Sequence, residues 1–115
     1  MIRPDAPDHR ARALQDAARQ LDFFRAGLAP AGGFLRLGRD GRPLPGQHRE
    51  LHATARMVHA YAMGKLAGWP GCDAMIDAGM RALARHHRDE THGGYLWSVD
   101  ADGIRDGRKL AYGHV

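Results

Sequence analysis

The chain has a single cysteine, Cys72, among 115 residues. One thiol cannot build an internal disulfide framework, and such usage suits a reducing compartment. Long apolar runs are missing too, since no window approaches the roughly 20 apolar residues that a membrane-spanning helix needs. The opening "MIRPDAPDHR" holds no apolar core, so no secretory leader is expected and the expected location is the cytoplasm. Charge of one sign is also lacking. Seventeen Lys and Arg face thirteen Asp and Glu, a formal net charge of +4, but the signs are mixed. In "PDAPDHRARALQDAARQLDFFR" the arginines interleave with Asp5, Asp8, Asp16 and Asp22. That is the pattern of a solvated helix face, whereas a phosphate-tracking stripe would carry one sign. Neither a nucleic-acid nor a membrane partner is expected. No Ser-His-Asp order, phosphate loop or Cys-x-x-Cys pair occurs, and the length allows one small domain or part of a larger one.

What is present is a repeat. "GGFLRLGRDG", from Gly32 to Gly41, returns sixty-one residues later as "GGYLWSVDADG", from Gly93 to Gly103. Around it, apolar spacing predicts three helices. The first spans 8–28, with Ala11, Leu14, Ala18 and Leu21 in line, Asp8 as N-cap and Pro30 beyond its end. The second spans 48–67, with Leu51, Ala55, Val58, Ala62 and Leu66 on one face and Gly68, Pro70 and Gly71 as the stop. The third spans 72–88, with Met75, Ala78 or Gly79, Ala82 and His86 aligned. Short hairpin or extended segments are predicted near 33–37 and 94–99. A unit of two helices and a Gly-Gly connection, repeated at about 60 residues, is similar to the helix-pair repeat of an α/α toroid, where one unit cannot bury its own apolar face. The predicted class is all-α. In the second unit the chain stops at Val115, where the next inner helix should run. Residues 1–115 therefore read as the N-terminal part of a longer barrel domain, against the alternative of a free-standing three-helix domain.

Beside the apolar face of the second helix, His52, Arg56, His59 and Met63 form another line at helical spacing. A guanidinium flanked by imidazoles is costly to bury without partners, so the line faces either a polar cavity or solvent. His48 and His52 are spaced to share a zinc ion, but "HRELH" puts Arg49 where the hydrolase motif needs Glu, and no metal is expected. His86, His87 and His92 cluster near a helix end, where the dipole favours them. Tyr95 and Trp97 read as hairpin packing or as rim aromatics facing sugar.

The runs "TARMVHAYAMG", "RDETHGGYLWSVDADG" and "KLAYGH" together resemble the N-acylglucosamine 2-epimerase family, and more closely its sugar-isomerase branch. The resemblance covers about Gly32 to Val115. It implies an (α/α)6 barrel whose central pocket isomerises or epimerises an open-chain aldose of the mannose or sulfoquinovose type at C1/C2. Such chemistry removes a proton α to a carbonyl, passes through an enediolate and returns the proton to C1 or C2. It calls for an acid/base group titrating near neutrality, a task suited to His, and for donors on the developing oxyanion. By this resemblance Arg56 is the catalytic, oxyanion-stabilising residue, and Arg56, Tyr112 and His114 bind the substrate. The family's acid/base histidines fall beyond Val115, so His52 and His59 are not assigned that role. No cofactor is expected. Two other readings stay open, a small non-catalytic helical interaction module and another (α/α)6 sugar enzyme such as a glycoside hydrolase. The second needs paired carboxylates that the second helix does not offer.

Overall fold

The computed structural model describes residues 7–30, 32–100 and 102–115. Asp5 of the interleaved charge pattern lies outside the described residues. Helix α1 runs Pro7–Phe24 and tightens into a 3-10 turn at Arg25–Gly27. Pro7 sits in the first turn, where a missing N–H costs nothing, and Asp8 lies inside that turn rather than capping it. None of the residues of α1 is buried. The helix is held at its C-terminal end, where Tyr61 Oη donates to the Leu21 carbonyl at 2.6 Å. There too the Arg25 guanidinium donates to the carbonyls of Pro70 at 2.7 Å and Gly71 at 3.2 Å.

Helices α2 (Leu51–Leu66) and α3 (Cys72–Ala82) form the packed body. They approach closely because Gly79 has no side chain, and a Cβ there would lie 2.3 Å from Val58 Cγ2. Phe34, Tyr61, Cys72 and Met75 make the core, with Leu21, Leu28, Met57, Trp69 and Ile76 packed around it. Phe34 stacks on Tyr61 at 6.3 Å. Full burial contributes roughly 2 kcal/mol for each such large apolar side chain.

Three expectations need correction. Helix α2 starts at Leu51, not at 48, because Arg49–Glu50 form strand β1 and pair with Val99 and Ser98. Its buried residues are Leu51, Thr54, Tyr61 and Gly64, whereas Leu66 is exposed. On α3 it is His87 that turns into the core and His86 that stays out. Leu83–His87 form a π-helical turn, and in that wider winding the residue five on, not four, falls in line with Ala82.

The two Gly-Gly segments share one backbone plan. Gly32, Gly33, Gly93 and Gly94 all have positive φ, between 73° and 100°, a region open to glycine and strained for other residues. Phe34 bridges to Leu28, and Tyr95 bridges to Arg88. Ala29 N–H donates to Gly33 O and Leu35 N–H to Gly27 O, matched by Asp89 to Gly94 and Leu96 to His87. Consecutive left-handed glycines turn the chain so sharply that single bridges form there rather than regular hairpins. The regular hairpin lies further on. Strands β2 (Ser98–Asp100) and β3 (Gly103–Asp106) pair antiparallel, and β1 completes a three-stranded sheet in the order β1-β2-β3. The fold is helix-rich with this one small sheet among the described residues. No helix in the described residues is long and apolar enough to cross a membrane.

Candidate functional site

The sheet carries the second Gly-Gly segment to the start of α2. The first N–H groups of a helix lack intrahelical partners, and the Leu51 N–H is met by the Trp97 carbonyl at 2.8 Å. That bond lays the indole against His52, with centroids 4.9 Å apart and planes within 9°. Helix α4 (Ala111–His114) brings the third ring. It fits against α2 because residue 113 is glycine, where a Cβ would stand 2.6 Å from Leu51 Cδ2 and 3.2 Å from the indole. Tyr112 is then tilted against His52 at 5.6 Å and against Trp97 at 6.3 Å.

Arg56, one turn after His52, closes the group. Its Nη2 donates to the Tyr112 hydroxyl oxygen, and its Cζ lies 4.7 Å from the centre of that ring, within cation–π range. Arg56 and Tyr112 are both exposed, and the His52 and Trp97 rings are half-buried. His52 Nδ1 is enclosed without a hydrogen bond, with Glu50 Oε2 3.5 Å away. Of the line expected on α2, His52 and Arg56 join this site. His59 and Met63 are exposed further along the helix and contribute no ring contact to the group.

His114 stands just behind. Its Nε2 accepts from the Tyr95 N–H at 2.9 Å, and its Nδ1 lies 2.8 Å from the Leu110 carbonyl. Backbone groups thus engage both ring nitrogens. Lys109 secures the same junction, donating to Asp89 at 2.9 Å and to the Gly93 carbonyl at 2.7 Å. The Lys109 hydrogen bond, backed by the N–H groups of His92 and Thr91, holds the Asp89 carboxyl well below the usual carboxylate range. Beneath the junction, buried His87 keeps its Nδ1 2.8 Å from the Leu96 carbonyl. Burial pushes its basicity down, and the nearby charges of Arg49 and His86 add to that, while the Leu96 bond opposes it.

The histidines weighed as metal ligands point to different partners. His48 Nδ1 is 3.6 Å from Asp100, and His52 Nδ1 is 3.5 Å from Glu50. Among the described residues no group of three or more His, Cys, Asp or Glu gathers as a metal cage. Arg56 and Tyr112, both singled out from the sequence, meet here, but the stacking of His52 on Trp97 was not expected, since it depends on the β1–β2 pairing. A Trp immediately before the strand that pairs with Arg49–Glu50 was the available signal.

A guanidinium, a hydroxyl and flat ring faces thus come together on a helix-rich scaffold. The N-acylglucosamine 2-epimerase (GlcNAc 2-epimerase) family model matches residues 32–115, and the chain belongs to that family. It is 41% identical over 108 residues to a D-mannose isomerase of Thermobifida fusca, covering 93% of this chain and 26% of that one. To a D-mannose isomerase of Pseudomonas cannabina pv. alisalensis it is 37% identical over 111 residues, covering 96% and 26%. The chain thus spans about a quarter of the length of these relatives. Among solved structures, a D-mannose isomerase crystal structure superposes with a TM-score of 0.84 at 22% identity, over 94% of this chain and 28% of that one. Cellobiose 2-epimerase from Spirochaeta thermophila DSM 6192 superposes with a TM-score of 0.71 at 23% identity, over 90% and 28%. These two likenesses concern the fold.

Proposed function

We propose that this chain supplies the N-terminal helix pairs of an (α/α)6 barrel sugar isomerase or epimerase, acting at C1/C2 of an aldose of the mannose or sulfoquinovose type. The observation that carries the reading is the Arg56–Tyr112 pair, a guanidinium seated on a phenol in the first half of α2. Family membership and the two mannose-isomerase relatives supply the chemistry to test.

In this reading the sugar binds in open-chain form with its carbonyl oxygen toward Arg56. Removal of the proton at C2 drives negative charge onto that oxygen, and an enediolate forms. Guanidinium donors aimed at the developing oxyanion stabilise the transition state more than the ground state. Tyr112 holds one edge of the guanidinium, so Arg56 needs little reorganisation when charge develops. The stacked rings of His52 and Trp97 offer an apolar face to the sugar carbons. His114 keeps Tyr112 in place, since its ring nitrogens are engaged by backbone. The acid/base groups that move the proton come from outside residues 1–115.

The test uses the natural protein with mannose, lyxose, sulfoquinovose and N-acetylmannosamine, following ketose or epimer by NMR. Arg56→Ala should lower kcat/KM on the order of 10²-fold or more, with most of the loss in kcat. Near-normal turnover by a folded Arg56→Ala protein would remove Arg56 from the mechanism.

A further inference from the structure

A second cavity lies away from Arg56 and Tyr112, between the end of the first helical segment and α3. It measures about 370 Å³, within the roughly 300–1,000 Å³ typical of small-ligand sites. Leu28, Pro30 and Ala78 belong to its apolar wall, and Arg81, Arg85 and His86 supply its polar side. No carboxylate lines it among the described residues. Some arginines elsewhere sit on acids, as Arg19 does on Asp16, Arg25 on Asp22 and Arg108 on Asp106. Arg81 and Arg85 make no ion pair or side-chain hydrogen bond among the described residues. Asp77, one turn before Arg81, is not part of the wall.

The π-helical turn at Leu83–His87 builds this arrangement. In that wide winding both the fourth and the fifth residue after Arg81 flank its azimuth, so Arg85 and His86 share its side. Gly32 closes the cavity opposite. A Cβ there would lie 3.7 Å from both Cδ2 and Nε2 of His86, so the loop passes near the imidazole. Two guanidiniums and an imidazole, with no carboxylate among them and an apolar wall beside them, match a phosphate group carried on a small carbon body. Arginine forks pair with phosphate oxygens bidentately. A neighbouring cavity shows the contrast. It shares Arg85 and adds Arg88, but Asp89 and Glu90 also line it, and those carboxylates would repel an anion.

We propose that the cavity walled by Arg81, Arg85 and His86 binds a phosphate group, either free phosphate or a phosphomonoester of a small metabolite. The site is independent of the sugar chemistry at Arg56. The experiment is isothermal titration calorimetry of the natural protein at constant ionic strength, with inorganic phosphate in one arm and glucose 6-phosphate in the other. Saturable binding with one site per chain is expected. Tighter binding of glucose 6-phosphate identifies an organic phosphate, and equal affinities identify free phosphate. Arg81→Gln with Arg85→Gln keeps helix-forming side chains, with folding checked by circular dichroism, and should weaken binding about tenfold or more. Arg56→Ala should leave it unchanged. Absence of saturable binding in both arms, unchanged affinity in the double variant, or loss in Arg56→Ala overturns the proposal.

Discussion

His114 has only one way to satisfy its neighbours. A backbone N–H can only donate, so Nε2 must accept from Tyr95, and Nδ1 then carries the proton that the Leu110 carbonyl accepts. The Nδ1–H tautomer satisfies both partners, and the ring ties the second Gly-Gly segment to the helix that bears Tyr112. His114→Phe keeps a ring beside Tyr95 but deletes both bonds. It should cost about 1–3 kcal/mol in urea unfolding and lower kcat in the sugar assay more than it raises KM, because Arg56 loses its seat. A change in KM alone would instead make His114 a substrate contact. Arg56, Tyr112 and His114 are all singled out from "TARM" and "KLAYGH", and the structure puts the first two in contact. The bonds of His114 could not be read, since its partners are backbone atoms that no side-chain pattern encodes.

At the scale of elements, apolar spacing located the three long helices of the described residues, because amphipathic periodicity is a local signal. It misplaced the start of α2, where strand pairing with Ser98 and Val99 overrides helix extension. It also chose His86 over His87, because a π turn leaves no mark in a spacing that assumes ordinary helix. That turn has a pH consequence. Buried His87 is less basic in the folded protein than the ordinary value of about 6.5 for histidine. Its native form is neutral, so the unfolded chain binds more protons between the two values. Stability from this group is complete above about pH 6.5 and is lost as pH falls toward the folded value. Urea midpoints should therefore drop between about pH 7.5 and 5.5, and His87→Gln, which can still donate to Leu96, should flatten the drop. An equally steep profile in His87→Gln would assign the effect to another group.

At the scale of the whole molecule, the repeat spoke for helix pairs in series, and the matched bonding of the two Gly-Gly segments shows that they are structural equivalents. What a repeat leaves unstated is which faces its neighbours cover. Leu14, Leu21, Phe24, Met57, Met63 and Trp69 line an apolar cavity of about 420 Å³ between α1 and α2, and Leu66 is 89% exposed. Repeat architectures draw stability from neighbour interfaces, and an apolar face left without one is adhesive. Tyr112 is 55% exposed, so the proposed sugar site is an open surface in the described residues. Water then competes for every donor, and an oxyanion gains little from Arg56 at high dielectric. Residues 1–115 produced alone should therefore associate with rising concentration in sedimentation velocity. Incubated with the four sugars above, they should give no ketose or epimer by NMR. Reproducible turnover that disappears on replacing His52 or His59 would move the acid/base role into this segment, and the half-buried imidazole stacked on Trp97 would then be the first group to assign it to.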